Sequence, residues 1–123
     1  YIEDIPANVE VLSQILNNRP YIELLSAFNA PDGIKKAQDH IPDLFLMDIT
    51  LHGMDGREAL KKLQNIDAVK NIPVFSLTAD AMEVDIKKTL DMGFKDYITK
   101  PIDVPKFLER IDRFFAANPP KLQ

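Results

Sequence analysis

The sequence has no cysteine, no long apolar run and no cluster of basic residues, and each absence excludes a class of protein. Without cysteine there is no disulfide, no thiolate metal site and no cysteine nucleophile. No apolar stretch approaches the roughly 18 residues that a membrane-spanning helix needs, and no signal peptide is visible. A net charge of −4 without a basic run argues against nucleic-acid binding by this domain. We therefore expect a cytoplasmic protein whose partners include neither membrane nor nucleic acid.

The 123 residues suffice for one domain, in which apolar strand-like segments alternate with helical patterns. The predicted strands are 1–4, Tyr21–Phe28, Leu44–Met47, Pro73–Leu77 and Asp96–Ile98, and the predicted helices are Pro6–Asn17, Asp32–His40, Gly56–Gln64, Ala81–Met92 and 103–117. Asp103 is the expected N-cap of the last helix, and Gly93 is expected to end the fourth. Repeated strand–helix alternation predicts an α/β fold, a doubly wound parallel sheet with helices on both faces.

The two ends of the chain carry separate signals. Tyr1 and Ile2 run directly into two acids, a pattern typical of the end of a strand. Because strands usually have about five or six residues, we expect the first strand to be truncated at its start. We expect the domain to span residues 1–117 and residues 118–123 to form a tail or linker, since Asn118 and two prolines end the last helix.

Asp48 is the residue around which the rest of the chain is organised. It follows four consecutive apolar residues, Leu44 to Met47, which indicate a strand buried on both faces of a parallel sheet. An aspartate at the carboxyl end of such a strand lies at the edge where open α/β sheets place their chemistry. Position alone leaves two interpretations open, a turn residue or a functional carboxylate.

Other predicted strands also end in chemically distinctive residues, namely Glu3-Asp4, Thr78 and Lys100. Each alone has a structural explanation, such as a helix cap or a solvated charge. Together with Asp48, these residues place three acids, a hydroxyl and an ammonium at one edge, because all parallel strands end on the same side of the sheet.

The expected chemistry at this edge is phosphoryl transfer. Crowded carboxylates repel one another unless a cation joins them, and an all-oxygen donor set favours Mg²⁺ over Zn²⁺. A carboxylate can itself be the nucleophile and form an aspartyl phosphate. Mg²⁺, an ammonium and a hydroxyl would then stabilise the remaining phosphoryl oxygens.

With these groups in place, the sequence resembles the receiver domain of two-component response regulators over nearly its whole length. The resemblance rests on four fragments in order: Glu3-Asp4 after the first strand, MDITLHGMDG around Asp48, SLTA at Ser76–Ala79 and YITKP at Tyr97–Pro101. It implies a flavodoxin-like (βα)5 sheet with strand order 2-1-3-4-5. It also implies phosphorelay signalling by a domain that catalyses its own aspartyl phosphorylation and dephosphorylation rather than by a conventional enzyme.

The resemblance assigns roles to individual residues. Asp48 would be the phosphoacceptor, receiving the group from a histidine kinase, a phosphotransfer protein or a small donor such as acetyl phosphate. Mg²⁺ would be held by Asp4 and Asp48 directly, by Glu3 through its longer reach and a water, and by the Thr50 backbone carbonyl. Lys100, in a cis or otherwise tight linkage to Pro101, would pair with the phosphoryl oxygens.

The resemblance also implies a switch and a surface that reports it. Thr78 would hydrogen-bond the phosphoryl group, and Tyr97 would turn inward as that threonine moves. A downstream protein or output domain would bind the face formed by helix 81–92, strand 96–98 and helix 103–117, with Met82 and Ile86 as possible apolar contacts.

Three positions near the site have special interest. Thr50 and Asp80, each two residues beyond a site residue, would tune the rate at which the aspartyl phosphate hydrolyses. His52 stands where the family commonly has proline, and a solvated loop residue is the simplest interpretation of it.

Three other classes of protein share part of this pattern. A phosphatase of the haloacid dehalogenase type also places a nucleophilic aspartate after an apolar strand, but it needs a second aspartate where Thr50 stands. A flavodoxin would need a phosphate-binding loop where the acidic Glu3-Asp4 lies. A receiver-like domain without phosphorylation is disfavoured by the intact site residues. Whether the domain stands alone or is part of a hybrid kinase or larger regulator stays open.

Overall fold

The structure, a computed structural model, describes residues 1–49, 56–78 and 83–118, with only the backbone for 83–86. These residues form five helices and three strands. The helices are α1 (Pro6–Leu16), α2 (Ala30–His40), α3 (Gly56–Gln64), α4 (Glu83–Asp91) and α5 (Val104–Ala117), and the strands are β1 (Phe45–Asp48), β2 (Val74–Thr78) and β3 (Asp96–Thr99).

The strands form a parallel sheet that two single bridges extend on one side. β2 lies between β1 and β3, with Asp48 beside Leu77 and Thr78 beside Thr99. Ile2 forms parallel bridges to Met47 on one side and to Ala27 on the other. The segments therefore cross the sheet in the order Ala27, Ile2, β1, β2, β3, with all of them running in the same direction.

The predicted second strand, Tyr21–Phe28, is wrong as a continuous strand, since its backbone bonds to the start of the chain only at Leu25 and Ala27 among the described residues. The Tyr1 amino group donates to the Leu25 carbonyl at 2.9 Å, and the Ala27 amide donates to the Tyr1 carbonyl at 3.0 Å. A cavity of about 710 Å³ lies between this segment and the start of β1. An apolar segment without a hydrogen-bonding neighbour cannot form a ladder, whatever its propensity.

The predicted third and fourth strands begin and end one residue too early. β1 continues through Asp48 because the Asp48 amide donates to the Ile2 carbonyl at 3.2 Å. β2 likewise reaches Thr78, and the fifth predicted strand extends to Thr99. The polar residue that ends each apolar run is thus still part of the sheet.

The helix predictions differ from the structure mainly at the first turns. α2 begins at Ala30 rather than Asp32, because the Asn29 side chain caps it by accepting from the Asp32 amide at 2.9 Å. Asp103 caps α5 as predicted, accepting from the Lys106 amide at 3.2 Å. The predicted start of the fourth helix, Ala81, lies outside the described residues.

Apolar residues from the two faces of the sheet pack into separate clusters. Phe45 and Met47 of β1 pack with the buried residues of α2 and α3, whereas Leu46 packs with those of α1 and α5. This alternation along one strand follows from the two-residue period of side chains in a sheet. Among the described residues, no helix is long and apolar enough to cross a membrane.

Gly56 brings the start of α3 against the end of β1. Its amide donates to the Ile49 carbonyl at 2.9 Å. A Cβ at this position would lie 2.7 Å from the Asp48 carbonyl oxygen and 2.9 Å from the Ile49 Cα. Both contacts are with backbone, so no side-chain rotation can relieve them.

We predict that Gly56→Ala lowers the free energy of unfolding by about 1–3 kcal/mol, because the helix and the strand end must move apart. Chemical denaturation measures the change. Glu58→Ala, at an exposed position of the same helix, is the control and should change stability by less than about 0.5 kcal/mol. Equal stabilities for the two variants would show that the close approach does not constrain the Asp48 backbone.

Candidate functional site

Parallel pairing brings the first acids of the chain beside the end of β1. The Ile2 amide donates to the Leu46 carbonyl at 2.9 Å, and the Glu3 amide donates to Ala27 at 2.9 Å. Glu3 and Asp4 therefore leave the sheet next to Asp48, the last residue of β1.

These three carboxylates form one cluster. Glu3, Asp4 and Asp48 each contribute an oxygen, and the three oxygens lie within 4.8 Å of one another. Glu3 is completely buried, Asp48 is only 5% exposed and Asp4 is half-buried. Such crowding of acids away from water is unfavourable unless a cation lies among them.

Lys100 supplies a cation to the cluster. Its ammonium donates to Asp48 Oδ2 and to Glu3 Oε1, the latter at 3.3 Å. The backbone positions this side chain, because the Lys100 amide donates to the Thr78 carbonyl at 2.8 Å and a cis peptide bond follows to Pro101. Lys100 is thus in direct contact with Asp48, the predicted phosphoacceptor.

Burial and the neighbouring groups both shift the pKa values of the residues in the cluster. Burial raises the pKa of Glu3, and the adjacent Asp48 raises it further, whereas the Asn8 amide and Lys100 oppose the shift. Burial acts to lower the pKa of Lys100, but its bonds to Asp48 and Glu3 outweigh that effect and keep it above the ordinary value. Burial and the nearby acids together raise the pKa of the Tyr1 phenol. The Lys100 ammonium is therefore retained at neutral pH.

The donor set fits a hard divalent cation. Glu3 Oε2 is buried and has no hydrogen-bond partner among the described residues. A carboxylate oxygen left in this state costs free energy that a metal ion or a metal-bound water would recover. Three clustered carboxylates supply the oxygen ligands that Mg²⁺ prefers.

The remaining predicted site residues are distributed differently. Thr78 ends β2 at the same edge of the sheet and is half-exposed. Tyr97 lies earlier in β3, where its ring packs against α5 rather than among the carboxylates. Thr50, Asp80 and His52 lie outside the described residues.

Two polar residues at or near the site were not identified from the sequence. Asn8, in the first turn of α1, donates its side-chain amide to Glu3 Oε1. Arg110 of α5 donates to Asp96 Oδ1 at 2.6 Å and to the Tyr97 carbonyl at 2.7 Å, and its guanidinium lies 5.2 Å from the centre of the Tyr97 ring. An asparagine in the turn after an acidic pair is a usable signal for Asn8, whereas nothing in the sequence distinguishes Arg110 from a solvated position of α5.

Comparison with known proteins identifies the family. Residues 1–112 match the response regulator receiver domain family. The polar-differentiation response regulator DivK of Brucella anthropi is 35% identical over 115 residues, which cover 94% of this chain and 93% of that protein.

Solved structures share the fold. The receiver domain of the sensor histidine kinase PA1611 from Pseudomonas aeruginosa PAO1, which holds a magnesium ion in its active-site cleft, superposes with a TM-score of 0.81 at 25% identity. The alignment covers 94% of this chain and 93% of that one. The receiver domain of a histidine kinase from Syntrophus aciditrophicus gives a TM-score of 0.83 at 24% identity over 99% and 92% of the two chains.

The family assignment agrees with the α/β class and with the acidic edge of the sheet, and it gives no support to the haloacid dehalogenase alternative. This chain belongs to the response regulator receiver domain family of two-component signalling.

Proposed function

We propose that Asp48 accepts a phosphoryl group from the phosphohistidine of a histidine kinase or phosphotransfer protein, or from a small donor such as acetyl phosphate. The observation that carries this proposal is that Asp48 lies in a cluster of three carboxylates and is also contacted by the Lys100 ammonium. A structural ion pair would not need two almost fully buried acids with a third beside them.

The transfer step balances with the groups present. An Asp48 carboxylate oxygen forms a bond to phosphorus while the bond from phosphorus to the histidine nitrogen breaks. The electron pair leaves with the imidazole, whose other ring nitrogen carries a proton in the donor, so the leaving group is a neutral histidine. With acetyl phosphate the leaving group is acetate. The burial of Asp48 limits the access of water to the phosphorus atom during the transfer.

The surrounding residues hold and neutralise the transferred group. Glu3, Asp4 and Asp48 would hold Mg²⁺ together with the Thr50 carbonyl. When bound, Mg²⁺ supplies positive charge opposite the phosphoryl oxygens. Lys100, already in contact with Asp48, transfers its hydrogen bond to those oxygens, and the Thr78 hydroxyl donates a further one.

The response to phosphorylation passes along β3 to a binding face. Lys100 directly follows β3, and Tyr97 precedes it by three residues in the same strand. A new dianionic group at Asp48 favours the loop conformation that satisfies its oxygens, which shifts the population of the linked elements. We place the surface for a downstream protein on α4, β3 and α5.

Several finer predictions belong to this proposal. They are the tuning of phosphoryl lifetime by Thr50 and Asp80, the inward turn of Tyr97, the domain boundary at residue 117 and the cytoplasmic location. The choice between a stand-alone regulator and a module of a larger protein stays open.

We predict that incubation with acetyl phosphate and Mg²⁺ adds the mass of one phosphoryl group to the parent protein, because Asp48 is the acceptor. Intact-mass spectrometry measures the addition. Asp48→Asn should show none, while Asp43→Asn, an exposed aspartate near the opposite end of β1, should behave as the parent does. An unmodified parent, or equal modification of Asp48→Asn, would refute the assignment.

We predict that Lys100→Met lowers the free energy of unfolding by about 2–3 kcal/mol without Mg²⁺, because two buried carboxylates lose their compensating charge. Added Mg²⁺ should reduce this loss, since the ion replaces the missing positive charge. Thermal and chemical unfolding with and without Mg²⁺ measure both effects. Lys106→Met, on the exposed side of α5, is the matched control. A loss of the same size with and without Mg²⁺ would contradict a shared site.

A further inference from the structure

Asn8 reaches the carboxylate cluster from the first turn of α1. It is the third residue of that helix, and its backbone amide donates to the Ile5 carbonyl at 3.0 Å. This turn folds the chain back, so the Asn8 side-chain amide donates to Glu3 Oε1, five residues earlier. Asn8 is half-buried and joins a helix to the acid that precedes it.

The two oxygens of Glu3 have different surroundings. Oε1 accepts from Asn8 and from Lys100, whereas buried Oε2 has no hydrogen-bond partner among the described residues. Because both donors bind the same oxygen, the other one remains available to a cation or to a water that a cation holds. The orientation of this side chain therefore decides which oxygen is available.

The two donors to Oε1 differ in charge and in their other contacts. Lys100 is positive, also bonds Asp48, and changes partner when a phosphoryl group arrives under the proposed function. Asn8 is neutral, so its hydrogen bond orients Glu3 without cancelling the negative charge that attracts a cation. Asn8 is thus the donor that can hold Glu3 in place both before and after Lys100 moves.

We propose that Asn8 is a positioning residue that holds Glu3 Oε1 and leaves Oε2 for the divalent cation, and so sets the affinity and ion preference of the site. This inference rests on the proposed function, because it assumes that the cluster binds Mg²⁺. Mg²⁺ demands near-ideal octahedral geometry at short distances, whereas Ca²⁺ accepts irregular arrangements with longer bonds. A fixed Glu3 therefore favours Mg²⁺ more than Ca²⁺.

We expect Asn8→Ala and Asn8→Leu to weaken Mg²⁺ binding about tenfold, the size of effect seen when partners that orient metal ligands are removed. Ca²⁺ binding should weaken less, so the preference for Mg²⁺ over Ca²⁺ should fall. Calorimetric titration of the unphosphorylated protein with each ion gives both dissociation constants without using the phosphotransfer reaction. Asn8→Gln keeps the amide donor and should recover part of the affinity.

Gln14→Ala is the matched control, because Gln14 is an amide on the same helix that pairs only with exposed Glu10 among the described residues, at 3.3 Å. It should leave both dissociation constants at the parent values. Asn8→Ala with a lower melting temperature but parental affinity and ion preference would overturn the inference and leave the proposed function standing. A parent protein that binds no Mg²⁺ would overturn the metal site itself, and the role of Asn8 with it.

Discussion

The structure depends on a balance between buried carboxylates and one ammonium. Glu3 and Asp48 are almost fully removed from water, and Lys100 contacts both. The balance requires β3 to end at the same edge of the sheet as β1 and the start of the chain, because charge that is buried without a partner costs several kcal/mol. Sheet topology and site electrostatics are therefore parts of the same constraint.

Close backbone packing around Asp48 gives that balance a fixed geometry. Gly56 lets α3 begin against the end of β1, and α1 turns back so that Asn8 reaches Glu3. The two apolar clusters on opposite faces of the sheet hold the strands from which the polar groups extend. A site built on the ends of packed strands is more rigid than one built on loops alone, which suits a shared metal ligand set.

Prediction from sequence worked where a local physical rule decides the outcome. Gly56–Gln64 is a helix with the predicted bounds, and Asp103 caps α5 as expected. Gly93 ends the α4 region in the positive-φ conformation that favours glycine. The prediction failed for Tyr21–Phe28, because a strand requires a backbone partner along its length, and among the described residues this segment bonds to the start of the chain only at Leu25 and Ala27.

The sequence by itself determined the α/β class, the polar residues that end the strands and the oxygen-rich character expected of a magnesium site. These follow from periodicity and from side-chain chemistry, which are local properties. Only the tertiary structure decided that Glu3 is buried and that its two oxygens have different hydrogen-bond partners. It also decided that Asn8 bonds to Glu3, and that Arg110 bonds to Asp96 and to the Tyr97 carbonyl. Such facts depend on contacts between distant residues, as between Lys100 and Glu3, 97 positions apart, and no local pattern encodes them.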